Sequence, residues 1–189
     1  MITIGILGDI GSGKSFVAKN FGYPVFNADD EVSKLYSKDI KIYKKLKKIL
    51  PKYFYSFPVN KNQISKAILA HDNNLNKIVK IVHAEVKKKL KNFLKKNRFK
   101  KIVILDIPLL LEKKIYNKKT ILIFVESRKS DIKKRLIRRK NFNQKIYNKF
   151  KKIQLPLDYK KKKSDYILKN DFLKKSVKNK IKKILKIIL

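Results

Sequence analysis

The stretch "GDIGSGKS", residues 8–15, decides the fold class of this chain. It follows an apolar run, "ITIGIL" (2–7), and leads into "SFVAKNF" (15–21), which carries apolar residues at helical spacing. Its eight residues match the pattern G-x-x-x-x-G-K-[ST]. Four of the chain's five glycines lie in this stretch or just before it: Gly5, Gly8, Gly11 and Gly13. The sequence therefore predicts a phosphate-binding P-loop between a first strand and a first helix.

Each residue type in this loop has a physical role. Glycine permits backbone conformations that other residues avoid, so successive N–H groups can converge on one anion at the N-terminus of the following helix. We expect Lys14 to reach the β- and γ-phosphates of a nucleoside triphosphate and Ser15 to offer its hydroxyl to Mg²⁺. Gly5 lies outside the motif, and close packing is the one reason that the sequence offers for it.

Short apolar runs alternate with helical patterns along the chain. The runs that predict strands are 2–7, 23–29, 100–112, 119–127 and 164–170, and helical patterns include 29–36 and 130–140. This alternation predicts an α/β fold with a parallel sheet and helices on both faces. Because ligands bind at the carboxyl ends of such strands, polar residues at strand ends are the candidates for a functional site.

Two helical segments differ from this alternation. Residues 39–97 show helical periodicity without a convincing strand, which indicates a helical insertion. The C-terminal segment places five apolar residues on one stripe: Leu173, Val177, Ile181, Ile184 and Ile188. Such a stripe fits either an amphipathic helix on a membrane surface or, as we favour, a last helix packed on the sheet.

The net charge of +37 is the most conspicuous feature of the composition. Such charge is typical of proteins that bind nucleic acid or anionic membranes. Only five of the cations are arginine, the residue that grips phosphates and bases bidentately. Because lysine, asparagine and isoleucine, which have A/T-rich codons, are abundant throughout, we favour a compositional bias over a dedicated nucleic-acid role.

Other features of the sequence limit the cellular compartments in which the protein could act. The chain has no cysteine, which excludes disulfides and thiolate metal sites. No uncharged apolar run approaches the ~20 residues that cross a bilayer, and the N-terminal "MITIGILG" lacks a basic leader and a cleavage site. We expect a soluble cytoplasmic protein that binds no membrane.

Acidic residues number only 14, so their positions are informative. Asp106 ends the run Ile102–Leu105, where a carboxylate beside the P-loop can hold Mg²⁺ or its water; the alternative is a cap for the turn before Pro108. Asp29 and Asp30 follow the second predicted strand, and either could cap the next helix or accept a proton from a substrate hydroxyl. We favour Asp29 as the base because it comes first after the strand.

Most of the chain's arginine lies on one predicted helix, at Arg135, Arg138 and Arg139. These residues form either a solvated basic face or, as we favour for at least one of them, groups that neutralise charge on a transferring phosphoryl group. His83 lies on a long predicted helix, 74–97, and is a further candidate.

Together these segments resemble one family, the dephospho-coenzyme A kinases, which are P-loop kinases of the nucleoside-monophosphate-kinase type. The resemblance runs over nearly the whole chain and is carried by "GILGDIGSGKS" (5–15), "VFNADD" (25–30), "IVHAEV" (81–86), "VILDIPLLLE" (103–112), "KKRLIRR" (133–139) and "SDYILKN" (164–170). The stretch "DIPLLLE" (106–112), taken with "NAD" (27–29), separates this family from adenylate and shikimate kinases.

The resemblance implies a single domain with a three-layer P-loop kinase fold and a central five-stranded parallel sheet. Its core would comprise about 1–38, 100–137 and 164–189, with a helical substrate-binding insertion at about 39–97 and a lid at about 138–162. The implied reaction is ATP-dependent phosphorylation of the 3′-hydroxyl of dephospho-CoA, which yields coenzyme A in the last step of its biosynthesis. We expect ATP and Mg²⁺ as cofactors, no specific nucleic acid and a monomer.

The resemblance also assigns roles to single residues. ATP would bind at Gly11 to Phe16, with Lys14 acting on the phosphates and Ser12 inside the same loop. Asp29 matches the family's base, which activates the 3′-hydroxyl, and Asp106 matches the acid at the end of the third strand, facing substrate and metal. The other matching side chains are Arg135 and Arg139, which lead into the lid, and His83 on the substrate side.

The sequence departs from the family pattern at several positions. Asn27 stands where an aspartate is usual, Phe16 stands where a threonine is frequent, and the glycine often found shortly after Asn170 is absent. Ala84 replaces a proline, and Lys61 and Lys160 replace arginines. Two other functions stay open at this stage: another small-molecule kinase acting on a nucleoside or nucleotide, and a basic P-loop protein that binds nucleic acid.

Overall fold

A computed structural model describes residues 1–140 and 142–189; residue 141, inside the predicted lid, lies outside the described residues. The elements in chain order are β1 (Ile2–Gly8), α1 (Lys14–Asn20), β2 (Val25–Asn27), α2 (Ala28–Lys38), α3 (Ile40–Ile49), α4 (Lys61–Ala70), α5 (Asp72–Lys96), β3 (Ile102–Asp106), β4 (Ile121–Glu126), α6 (Lys129–Ile137), α7 (Gln144–Lys152), α8 (Leu157–Lys162), β5 (Tyr166–Lys169) and α9 (Lys174–Ile188). Each predicted strand is present, and the predicted insertion, 39–97, contains helices.

The described residues form a five-stranded parallel sheet in the order β2-β3-β1-β4-β5. β1 lies at its centre, with Gly5 level with Leu105 of β3 and Leu122 of β4. Strands covered on both faces read as continuous apolar runs instead of alternating ones, as β1, β3 and β4 do. The α/β prediction is confirmed, and the carboxyl ends of all these strands lie along one edge.

One face of the sheet packs on the first and last helices. Ile4 and Ile6 of β1 belong to a buried cluster that includes Val17 of α1 and Val177 and Ile181 of α9. The C-terminal stripe is therefore the packed face of a last helix, and that prediction is confirmed. Its first member departs from the stripe, because Leu173 precedes α9 as its N-cap and is 64% exposed.

The other face of β1 accounts for Gly5. Alternation along the strand points this residue away from the cluster of Ile4 and Ile6. A Cβ at Gly5 would lie 2.6 Å from Leu110 Cδ2 and 3.0 Å from Leu122 Cδ2. The loop after β3 thus packs a leucine directly on the bare backbone, which confirms close packing as the reason for this glycine.

The described chain divides into two compact units. The first contains the sheet and comprises Met1–Asn27, Leu94–Phe142 and Gln154–Leu189; the second is helical and comprises Ala28–Phe93 and Asn143–Ile153. In the helical unit, the buried apolar residues of α5 recur every three or four positions, as the predicted periodicity requires. Among the described residues, no helix is long and apolar enough to cross a membrane.

Candidate active site

The P-loop lies where the sequence predicts it, between the carboxyl end of β1 and the N-terminus of α1. Gly8, Gly11 and Gly13 have φ angles of +147°, +85° and +86°, which residues with a Cβ rarely adopt. Gly13 is the N-cap of α1 and provides no side-chain cap. The first N–H groups of the helix therefore stay available to an anion.

The ammonium group of Lys14 lies over this loop. Its Nζ donates to the carbonyl oxygen of Asp9 at 2.7 Å and to that of Gly8 at 3.4 Å. Asp9 also organises the loop, because its carbonyl accepts the Ser12 N–H at 3.2 Å and its Oδ1 accepts the Ile10 N–H at 2.7 Å. The loop thus carries a positive charge at the place predicted for the phosphates.

Two strand ends hold the P-loop through a single carbonyl. The Ser12 carbonyl accepts hydrogen bonds from Ser127 Oγ and Asn170 Nδ2, both at 2.8 Å. Ser127 directly follows β4, and Asn170 directly follows β5. Neither residue was predicted from the sequence to have a role, although the rule that polar residues at strand ends build the site would have selected both.

Ser12 itself is almost wholly buried, with 1% of its surface exposed. Its Oγ has no hydrogen-bond partner among the described residues. A buried hydroxyl without a partner is costly, and a bound phosphate oxygen would remove that cost. This orphaned atom supports the assignment of Ser12 to the nucleotide site.

We expect Gly13→Ala to weaken ATP binding about tenfold or more. A Cβ at Gly13 would collide with Asn170 Nδ2, lie 2.7 Å from a ring carbon of Phe172, and require a φ of +86°. The measurement is a calorimetric titration with ATP. Gly22→Ala is the matched control, because Gly22 has a φ of +76° but nothing within 4 Å of its Cβ position. Equal ATP affinity in the two variants would contradict the prediction.

Asp106 is a buried carboxylate at the end of β3, with 3% of its surface exposed. Its Oδ2 accepts a hydrogen bond of 2.9 Å from Nδ2 of Asn27, the last residue of β2 and its partner in register. The Asn27 amide therefore orients the Asp106 carboxylate by donating a hydrogen bond to it. An aspartate at position 27 would instead add a second negative charge.

The residues at this edge of the sheet fit a magnesium ion. Ser15 and Asp106 offer the oxygen ligands that this hard cation prefers. Within 1–140 and 142–189, no group of three or more acidic, histidine or cysteine side chains could hold a metal alone. In nucleotide sites, Mg²⁺ usually keeps several waters and binds one or two protein ligands together with substrate phosphates.

Asp29 lies in the first turn of α2, directly after β2. The helix begins at Ala28 and carries Asp29, Asp30 and Glu31 in its first turn, so the alternative that Asp29 or Asp30 is the N-cap is wrong. Acidic side chains there interact favourably with the helix dipole. Asp29 is exposed, and its role as a base stays a prediction.

The predicted basic helix is shorter than expected. α6 ends at Ile137, so Arg138 is its C-cap and Arg139 follows in a turn; only Arg135 of the three lies within the helix. The guanidinium carbon of Arg135 is 4.1 Å from the centre of the Phe172 ring.

His83, the predicted substrate-side residue, lies on α5 in the helical unit and is partly buried.

Phe16 contributes to the site through its backbone. Its ring packs against the core cluster that joins α1 to the sheet. The side chain therefore faces the protein interior, and the N–H group is the part of Phe16 that an ATP site can use.

A buried ion pair lies near the P-loop. Lys160 Nζ is 2.6 Å from Glu112 Oε1, and the two side chains are 4% and 7% exposed. The same Glu112 oxygen accepts the Leu155 N–H at 3.0 Å, and Lys160 also donates to Gln154 Oε1 at 3.3 Å. The pair fastens segment 154–160 to the loop after β3 and lines a small cavity together with Lys14.

An open cleft of about 680 Å³ lies at the carboxyl ends of β4 and β5, and its lining includes Asn170 and Asp171. The Ser176 hydroxyl donates to Asp171 Oδ2 at 2.5 Å and is the largest influence that lowers the pKa of Asp171, to about 2. The Leu173 N–H and the Lys180 ammonium group lower this pKa further, against the effect of burial. Asp171 is thus ionised at neutral pH and fastens the loop after β5 to the start of α9.

A parallel sheet with a P-loop after its central strand defines a P-loop nucleotide-binding protein. A family model described as Dephospho-CoA kinase matches residues 2–175. The dephospho-CoA kinase of Wolbachia pipientis wMel is 33% identical over 186 residues, which cover 96% of this chain and 95% of the relative. That of Rickettsia typhi is 33% identical over 191 residues, covering 98% and 97%. The chain belongs to the dephospho-CoA kinase family.

Solved structures agree on the fold. A crystal structure of TT1252 from Thermus thermophilus has a TM-score of 0.77 and 26% identity, covering 100% of this chain and 98% of that one. A shikimate kinase from Acinetobacter baumannii, solved with shikimate, has a TM-score of 0.52 at 14% identity, covering 100% and 93%. The second likeness concerns the fold alone, and it confirms the predicted class of P-loop kinase fold.

Proposed function

We propose that this chain transfers the γ-phosphoryl group of ATP to the 3′-hydroxyl of dephospho-CoA, which yields coenzyme A. The observation that supports this most strongly is the membership of nearly the whole chain, residues 2–175, in the dephospho-CoA kinase family. A complete P-loop, held by Ser127 and Asn170 at two strand ends, supplies the physical means of holding the triphosphate.

The P-loop would bind the phosphates of ATP. The N–H groups at the start of α1, the glycine backbone and the Lys14 ammonium all present positive charge to them. Lys14 would exchange its bonds to the loop carbonyls for bonds to phosphate oxygens, which are stronger because both partners are charged. Ser15 and Asp106 would hold Mg²⁺, which neutralises the charge of the phosphates when bound.

Asp29 would accept the proton of the attacking 3′-hydroxyl. Support comes from its place two residues after Asn27, the last residue of β2, which bonds to Asp106 at the carboxyl edge of the sheet. Arg135 and Arg139 would neutralise charge on the transferring group, and closure of a lid at about 138–162 would exclude water. His83 and the helical insertion would contribute to binding the acceptor.

The experiment is an assay of the purified chain with ATP, Mg²⁺ and one acceptor at a time. The acceptors are dephospho-CoA, AMP, a nucleoside and shikimate, and mass spectrometry identifies the product. We expect phosphate on dephospho-CoA alone. Turnover of AMP or a nucleoside in preference to dephospho-CoA would overturn the proposal in favour of another small-molecule kinase.

A second part of the proposal concerns oligomeric state, cellular location and nucleic-acid binding. We infer a monomer that acts in the cytoplasm and binds no specific nucleic acid. The charge of +37 would give weak binding to DNA or RNA that disappears at moderate salt, because such binding depends on counterion release.

A further inference from the structure

Phe172 has a backbone conformation that favours glycine. Its φ is +63°, and a non-glycine residue pays a conformational cost in this left-handed region. Local hydrogen bonds stabilise the conformation, since the Phe172 N–H donates to Asn170 Oδ1 at 2.9 Å while Asn170 Nδ2 donates to the Ser12 carbonyl. The loop after β5 is therefore tied to the P-loop with Phe172 at its tip.

The ring of Phe172 lies against two parts of the nucleotide site. One ring carbon is 2.7 Å from the position that a Cβ of Gly13 would occupy, which places the ring on the N-cap of α1. The ring also contacts Arg135, whose guanidinium carbon is 4.1 Å from the ring centre. The strained conformation thus sets an aromatic ring between the P-loop and an arginine.

The Arg135 guanidinium is held by this ring and remains available for a ligand. Arg135 is exposed, and none of its N–H groups donates a hydrogen bond to a described residue. A guanidinium group has five N–H donors in a fixed plane, and stacking by one face leaves their edges unused. A long side chain that is already restricted before binding loses less conformational entropy when the ligand binds.

We propose that Phe172 is a positioning residue, which holds Arg135 beside the P-loop so that its guanidinium group contacts bound ATP. The proposal rests on the use of ATP in the proposed function and is independent of the acceptor. Phe172 acts through Arg135, and removing the ring therefore matters only while Arg135 is present.

A double-mutant cycle on ATP affinity tests this. Calorimetric titrations with Mg·ATP compare the unchanged chain with Arg135→Ala, Phe172→Leu and the double variant. We expect Phe172→Leu to weaken binding about three- to tenfold, a loss that lies between the values for a weak exposed and a desolvated cation–π contact. In the Arg135→Ala background the same change should have less than a twofold effect, and Phe172→Tyr should retain affinity.

Equal losses from Phe172→Leu with and without Arg135 would overturn the proposal, because the ring would then act by packing on the loop. Phe172→Gly is a second ring-free variant, suited to the φ of +63°, in case Phe172→Leu unfolds. Phe99→Leu is the matched control: Phe99 also stacks on an arginine, Arg98, at 4.6 Å, but it precedes the amino end of β3. Failure of the unchanged chain to phosphorylate dephospho-CoA would contradict the proposed acceptor alone, since the titrations contain none.

Discussion

We expect Asp29→Asn to lower kcat by about 10²- to 10⁴-fold, the contribution typical of a positioned general base. Asparagine has nearly the same shape as aspartate, but its amide cannot take the proton of the attacking hydroxyl. ATP affinity should change little, because the P-loop and Lys14 bind the phosphates. The measurements are steady-state kinetics with dephospho-CoA and a calorimetric titration with ATP.

The neighbouring Asp30 gives a matched control. Asp29 and Asp30 are both exposed in the first turn of α2, so each asparagine variant loses one favourable charge at the helix N-terminus. We expect Asp30→Asn to keep a kcat close to that of the unchanged chain. Near-normal turnover of Asp29→Asn, or an equal loss in Asp30→Asn, would rule out Asp29 as the base.

Lys160→Met should lower the free energy of unfolding by about 3–5 kcal/mol, the cost of leaving a buried charge unpaired. The Glu112 carboxylate is 7% exposed, and its Oε2 already has no hydrogen-bond partner among the described residues. Methionine fills the space of the lysine stem but cannot neutralise this group. Urea unfolding, followed by circular dichroism, measures the loss.

Lys161→Met makes the same substitution one position later. Lys161 pairs with Glu126 at 2.7 Å, but these side chains are 42% and 35% exposed, so we expect a loss below about 1 kcal/mol. Lys160→Met combined with Glu112→Leu should recover much of the stability, because the pair is then replaced by apolar groups. Equal losses in the two lysine variants would mean that burial of the Glu112 pair carries no special cost.

The sequence by itself determined the features that depend on neighbouring residues. The P-loop was predictable because its glycines, Lys14 and Ser15 are consecutive and follow an apolar run. The sheet was predictable because buried parallel strands such as β3 are apolar throughout. The packing of α9 followed from a stripe with the period of a helix. Helix ends were less certain, and α6 stops before Arg139 where the pattern extended it to 140.

The tertiary structure alone decided which distant residues support the loop. Ser127 and Asn170 lie 115 and 158 positions from Ser12, whose carbonyl both contact. The Glu112–Lys160 pair and the Phe172–Arg135 stack likewise join separate segments. The physical reason is that strand order brings the ends of β1, β4 and β5 together, and no local periodicity records which strands are neighbours. The sequence thus identified the P-loop residues that we propose bind the phosphates, and the fold identified Ser127 and Asn170 as the residues that hold this loop in place.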